Sequence, residues 1–142
     1  TYDEPHFPDP LFITQGGPGG STLELFPKMI FPYRSGGERD LVFVEQRGTR
    51  YSYPDLSCSI TDWEEALPED EDPEDYEYKD FLSSCRKELM ERGIDLNAFT
   101  TPQIAHDFEA VRQVLGYEKI NFYGVSYGTL VELTSSFIQS FI

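Results

Sequence analysis

The chain has 142 residues, a length that fits one domain with a single core. Hydrophobic residues make up 39%, aromatic residues 15% and charged residues 26%, a globular composition that argues against overall disorder. The net charge of −15, from 11 basic and 26 acidic residues, excludes nucleic acid as a partner, and no run of 18 apolar residues is present to span a membrane.

Residues 1–10 carry three prolines and read as an extended leading segment. Leu11-Phe12-Ile13-Thr14 is a short apolar run stopped by Gln15-Gly16-Gly17-Pro18-Gly19-Gly20, which predicts a buried strand entering a special turn. Ser21 or Thr22 then caps a helix carrying Leu23, Leu25, Phe26, Met29 and Ile30, ended by Pro32 and Gly36-Gly37. Asp40 to Glu45 is a second strand, β-branched and apolar, and Gln46-Arg47-Gly48-Thr49 turns after it.

An acidic block follows. Between 62 and 80 stand eleven acidic residues and one lysine, which is ten of the fifteen excess negative charges. Like charges repel and hydrate, and Pro68 and Pro73 oppose a helix, so 59–80 reads as an acidic surface loop. Such a block could also attract a cationic group such as a peptide amino terminus. Cys58 and Cys85 bracket it. A disulfide between them would close a loop of about 27 residues, contribute roughly 3–4 kcal/mol and imply an oxidising compartment. Two free thiols in a cytoplasmic protein are the alternative, and two cysteines without a nearby histidine make no metal site.

Tyr76 to Gly93 predicts a helix with Phe81, Cys85 and Leu89 on one face. Thr101-Pro102 predicts a second start, with Thr101 as N-cap and Ile104, Phe108, Val111 and Leu115 as one apolar stripe ended by Gly116. Lys119 to Tyr123 is a third strand, Gly124 to Gly128 a tight turn, and Thr129 onward a helix. Strands separated by helices need parallel crossovers, so the fold class is α/β, a parallel sheet with helices on its faces.

Gly124-Val125-Ser126-Tyr127-Gly128 is a G-x-S-x-G pattern. A bare match is weak, but here a strand precedes it and a helix follows, as a nucleophile elbow requires. The sharp turn lifts the serine hydroxyl above the sheet edge, and the helix amino terminus favours developing negative charge. Acyl transfer at Ser126 also needs donors for the tetrahedral oxyanion. One is the backbone N–H of Tyr127. The other comes from the glycine loop, where Pro18 has no N–H, so Gly17 or Gly19 must supply it.

Three motifs in order carry a resemblance: Gly-Gly-Pro-Gly-Gly-Ser after strand one, Glu-Gln-Arg-Gly-Thr after strand two and Gly-Val-Ser-Tyr-Gly-Thr after strand three. With these the chain resembles the α/β-hydrolases of the proline iminopeptidase and tripeptidyl aminopeptidase type, from Leu11 to about Leu130. Ser52 to Cys58, the later Cys85, Gly93-Ile94-Asp95-Leu96 and Thr100-Thr101 resemble the tripeptidyl aminopeptidase branch. The resemblance implies Ser126 as nucleophile, Gly17 and Tyr127 as oxyanion donors, no cofactor, and removal of residues or short peptides from a free peptide amino terminus. Many relatives carry His at Gln15, Asp at Glu45 and Gly at Arg50, differences that bear on substrate preference; no substrate-binding residue is assigned.

A serine hydrolase also needs a general base and an acid to orient it, following the serine in the order Ser, Asp/Glu, His. Sixteen residues follow Ser126, with Glu132 as their sole acid and no histidine. His6 and His106 both precede it, and His106 falls about 200° from Ile104, opposite the apolar stripe. The expectation is therefore that residues 1–142 form the amino-terminal part of an α/β-hydrolase catalytic domain, with the carboxy-terminal half and a lid outside this chain. The alternatives are a non-catalytic or truncated module, or a carboxylic ester hydrolase.

Overall fold

The computed structural model describes residues 7–30, 39–58 and 78–139, with side chains described at 7–29, 39–58 and 81–137. His6, the helix stop at Pro32 and Gly36-Gly37, the acidic side chains of 62–80 and the apolar side chains of Ile138, Phe141 and Ile142 lie outside the described residues. The elements run β1 (Leu11–Thr14), α1 (Thr22–Ile30), β2 (Leu41–Phe43), α2 (Tyr78–Glu91), a 3-10 turn (Leu96–Ala98), α3 (Thr101–Val114), β3 (Asn121–Gly124) and α4 (Tyr127–Gln139). They form two compact units, one of Thr1–Asp55 with Phe99–Ile142 and one of Leu56–Ala98.

The first unit is built on a parallel sheet ordered β2-β1-β3. β1 is central, with Phe12 facing Val42 on one side and Phe122 on the other. A strand covered on both faces reads as a continuous apolar run, and Phe12, Ile13 and Thr14 are fully buried. Alternation then assigns the faces. Phe122 stacks on Phe108 of α3, with ring centroids 4.9 Å apart, and its neighbour Tyr123 meets Phe26 of α1 edge-on at 6.2 Å. So α1 lies on one face and α3 and α4 on the other, where Phe12, Val44, Ile104, Phe108 and Val131 make the core.

The elements differ from the expectation at several points, β2 being Leu41–Phe43 rather than Asp40 to Glu45 and β3 Asn121–Gly124 rather than Lys119 to Tyr123. The N-cap of α3 is Thr100, in extended conformation, and Thr101 is already helical, with Pro102 in the first turn. Pro tolerates any first-turn position, so it does not fix the phase. The apolar stripe ends at Val111. Leu115 is half exposed as the C-cap, while Ala105 is buried in its place. Helix α4 starts at Tyr127 rather than Thr129, because the chain reverses at Ser126 alone. Among the described apolar side chains of α1, Phe26 is buried, while Leu23, Leu25 and Met29 are exposed.

In the second unit α2 ends in a Schellman turn. The Gly93 N–H donates to the Met90 carbonyl at 2.9 Å and the Ile94 N–H to the Leu89 carbonyl at 3.1 Å, with Gly93 at φ +76°. A disulfide joins Cys58 to Cys85 on α2, with Cα atoms 5.5 Å apart, and Arg92 donates to the Ser57 carbonyl at 2.9 Å. No described helix is long and apolar enough to cross a membrane.

Candidate active site

The sheet order sets a switch point at the carboxyl ends of the strands. The chain leaves β1 for β2 on one side, and β3 joins β1 on the other. Carboxyl ends of strands at such a switch point are where open α/β sheets bind ligands. The loop after β1 and the turn after β3 meet there.

Ser126 is that turn. It is exposed and stands at φ 55°, the one non-glycine residue with positive φ among the described residues. A left-handed serine costs about 1–2 kcal/mol and persists only where its surroundings enforce it. Here they do. The Val125 N–H donates to the Thr14 carbonyl at 3.3 Å, Gly128 to the Val125 carbonyl at 2.8 Å and Thr129 to the Ser126 carbonyl at 2.9 Å. The Thr129 hydroxyl also donates to the Ser126 carbonyl. Helix α4 begins at the next residue, so the positive end of a 13-residue helix dipole lies beneath the serine. The phenol of Tyr127 is 2.8 Å from the Thr101 hydroxyl of α3, which anchors the residue by its side chain and leaves its backbone in the first helical turn.

The glycine loop lies directly against this turn. A Cβ on Gly16 would fall 2.7 Å from both the Ser126 Cβ and the Val125 carbonyl oxygen, so no larger residue fits. Gly17 has φ +120°, a conformation that side chains rarely adopt. The loop is closed by the Gly20 N–H donating to the Gly16 carbonyl at 3.0 Å, and the Gln15 N–H donates to the Thr22 hydroxyl at 3.1 Å. At the start of α1 the Glu24 N–H donates to the Ser21 hydroxyl at 3.1 Å, and the Leu23 N–H to Glu45 at 3.0 Å.

The third motif supports the other two. Glu45 accepts the Thr49 hydroxyl at 2.9 Å. Gln46 is 2% exposed and donates to the Thr14 hydroxyl at 2.8 Å and the Gln15 carbonyl at 2.7 Å. Arg47 grips Asp107 of α3 through two hydrogen bonds, at 2.6 and 2.5 Å, which holds its guanidinium pKa above the usual range. Arg50 reaches Glu24 at 3.2 Å. The roles of Gln46 and Arg47 were not legible in the sequence. The signal present was the Glu-Gln-Arg-Gly-Thr motif itself, polar residues set directly after an apolar strand.

His106 is exposed on α3. Among the described residues no group of three or more His, Cys, Asp or Glu could hold a metal ion.

No protein-family model matches the chain. It is 32% identical over 129 residues to a tripeptidyl aminopeptidase of Streptomyces lividans, covering 84% of this chain and 24% of that protein. It is 31% identical over 133 residues to the serine protease Hip1 of Mycobacterium tuberculosis, covering 85% of this chain and 25% of that protein. Both relatives are named as peptidases, and the chain spans about a quarter of their length. The similarity supports kinship between this chain and a segment of such serine peptidases.

Proposed function

We propose that the protein is a serine hydrolase of α/β-hydrolase fold, an aminopeptidase that releases residues or short peptides from free peptide amino termini through an acyl-enzyme on Ser126. The observation that carries this reading is the exposed, left-handed Ser126 at the head of α4 with the glycine loop seated on it. A strained serine held by backbone hydrogen bonds is pre-organised for attack. The names of the peptidase relatives support the choice of an amide substrate.

In this mechanism the Ser126 Oγ attacks the scissile carbonyl and gives its proton to a general base. The N–H groups of Gly17 and Tyr127 hold the oxyanion of the tetrahedral intermediate, and the helix dipole favours the same charge. Collapse of the intermediate expels the amine, which takes the proton from the base, and water then hydrolyses the ester. The base and its orienting acid come from chain beyond residue 142, with a lid that selects the substrate.

The test uses the full-length protein. A fluorophosphonate is expected to label Ser126, and Ser126→Ala to lower kcat about 10⁴-fold or more without unfolding the protein. Peptides with free amino termini should be cleaved and blocked ones spared. Equal cleavage of blocked peptides removes the aminopeptidase claim, and a preference for simple esters makes the protein an ester hydrolase. Absence of labelling, with Ser126→Ala changing nothing in any assay, leaves a non-catalytic module.

A further inference from the structure

We infer, on the reading of Ser126 as nucleophile, that Gln46 is the positioning residue of the oxyanion loop: its carboxamide pins the Gln15–Gly16 peptide and so fixes the backbone that presents the Gly17 N–H. Gln46 comes from the turn after β2, the loop from the end of β1, and the serine from the end of β3.

The bonding is specific. One amide nitrogen of Gln46 donates both its protons, to the Gln15 carbonyl at 2.7 Å and to the Thr14 hydroxyl at 2.8 Å. Only the amino end of the carboxamide fits against the Gln15 carbonyl, because a carbonyl oxygen only accepts. The other end of the same peptide is held too, since the Gly16 N–H donates to the Gln15 Oε1 at 3.0 Å. One peptide unit is thus clamped at oxygen and nitrogen by two side-chain amides. Its oxygen also faces α4, where a Cβ on Gly128 would come within 3.0 Å of it. Gly16, which supplies the nitrogen of this clamped peptide, lies against Ser126, where a Cβ on it would fall 2.7 Å from the serine Cβ. Rotation of the peptide would carry Gly16 and Gly17 away from the serine, and a misplacement of about 1 Å at a catalytic group can cost on the order of 100-fold in rate.

Gln46 acts here through the loop and touches no reacting atom. A side chain that merely satisfied buried polar groups would affect stability alone, so the test separates the two roles. In full-length protein, Gln46→Glu keeps the shape but puts a carboxylate, which only accepts, against the Gln15 carbonyl. We expect kcat to fall about 10- to 100-fold with KM changed less than about twofold, and fluorophosphonate labelling of Ser126 to slow in parallel, because that reaction forms a similar oxyanion. Thr14→Val removes the other acceptor of the same amide and leaves the loop bond, so its kcat should stay within about threefold. Where Gln46→Glu does not fold, Gln46→Met removes both donors without charge and carries the same expectation. The inference is overturned if the Gln46 variants keep kcat, or if the Gln46 and Thr14 variants lose activity only in proportion to the folded protein lost in a thermal melt. An active Ser126→Ala would instead remove the nucleophile reading itself.

Discussion

Ser126 sits in a conformation that serine avoids, and this sets its stability against its role. The left-handed region costs an L-residue about 1–2 kcal/mol, while glycine adopts it freely but loses about 0.5–1 kcal/mol more in chain entropy on folding. Ser126 at φ 55° has the first cost. We therefore expect Ser126→Gly to abolish activity yet unfold in urea at the same or higher midpoint, with a gain of about 0–1 kcal/mol. Ser126→Val should instead lose stability, since a β-branched side chain is least compatible with positive φ. A clear stability loss in the glycine variant would show that the conformation is not strained. The G-x-S-x-G spacing identified the residue, but the strain and the contact with Gly16 depend on atoms more than 100 residues apart in sequence.

Elements were legible where local rules suffice. β1 runs from Leu11 to Thr14 because an apolar run meets glycines, and α2 stops before Gly93 because that residue takes φ +76°. The α3 start was misplaced by one residue because two threonines precede one proline and either satisfies the capping rule. α2 also shows what its sequence left open, for the spacing of Cys58 and Cys85 permits a disulfide or two thiols, and Cα atoms 5.5 Å apart allow the bond. A closed loop with a sequence separation of 27 should contribute about 3.5 kcal/mol in the chain-entropy model. Reduction, or Cys58→Ala with Cys85→Ala, is expected to destabilise the Leu56–Ala98 unit by about that amount. Denaturation monitored with and without a thiol reductant checks this, and superimposable curves with verified reduction would contradict it.

At the scale of the whole sheet unit, the two ends of the sheet have different tasks. The carboxyl ends of the strands carry the serine and the glycine loop. The amino ends carry a polar network. Arg39 pairs with Asp9 and donates to its carbonyl at 2.8 Å, Asn121 donates to the Asp9 carboxylate at 2.7 Å, and Tyr117 donates to Asp40 at 2.9 Å. The Arg39 hydrogen bond, then that of Asn121, holds the Asp9 carboxyl below its ordinary 3.8. Its folded-state pKa is depressed, so its contribution to stability is present above about 3.8 and lost as the pH falls through the lower folded value. The hydrogen bond to Asp40 raises the Tyr117 phenol above 10.0, so that contribution is full below pH 10 and lost as the pH rises through the higher folded value. Asp9→Asn should therefore be less stable than the natural protein at pH 7, with the difference shrinking below pH 3.8. Urea titrations at pH 7 and pH 3 measure it, and a difference undiminished at pH 3 would contradict the assignment.

By itself the sequence determined the parallel α/β class, the position of β1 and the three motif turns, because apolar runs, glycine stops and helix starts are local signals with few structural solutions. Only the tertiary structure decided that β1 is central, that Gly16 rather than another glycine rests on Ser126, and that Gln46 clamps the loop. Those facts follow from strand order and from contacts between turns far apart in the chain, and no local pattern encodes them. The charge divides the same way. The −15 total is mostly one block between 62 and 80, while the pairs that hold the amino ends of the sheet involve a handful of ordinary-looking residues whose meaning comes from where folding brings them.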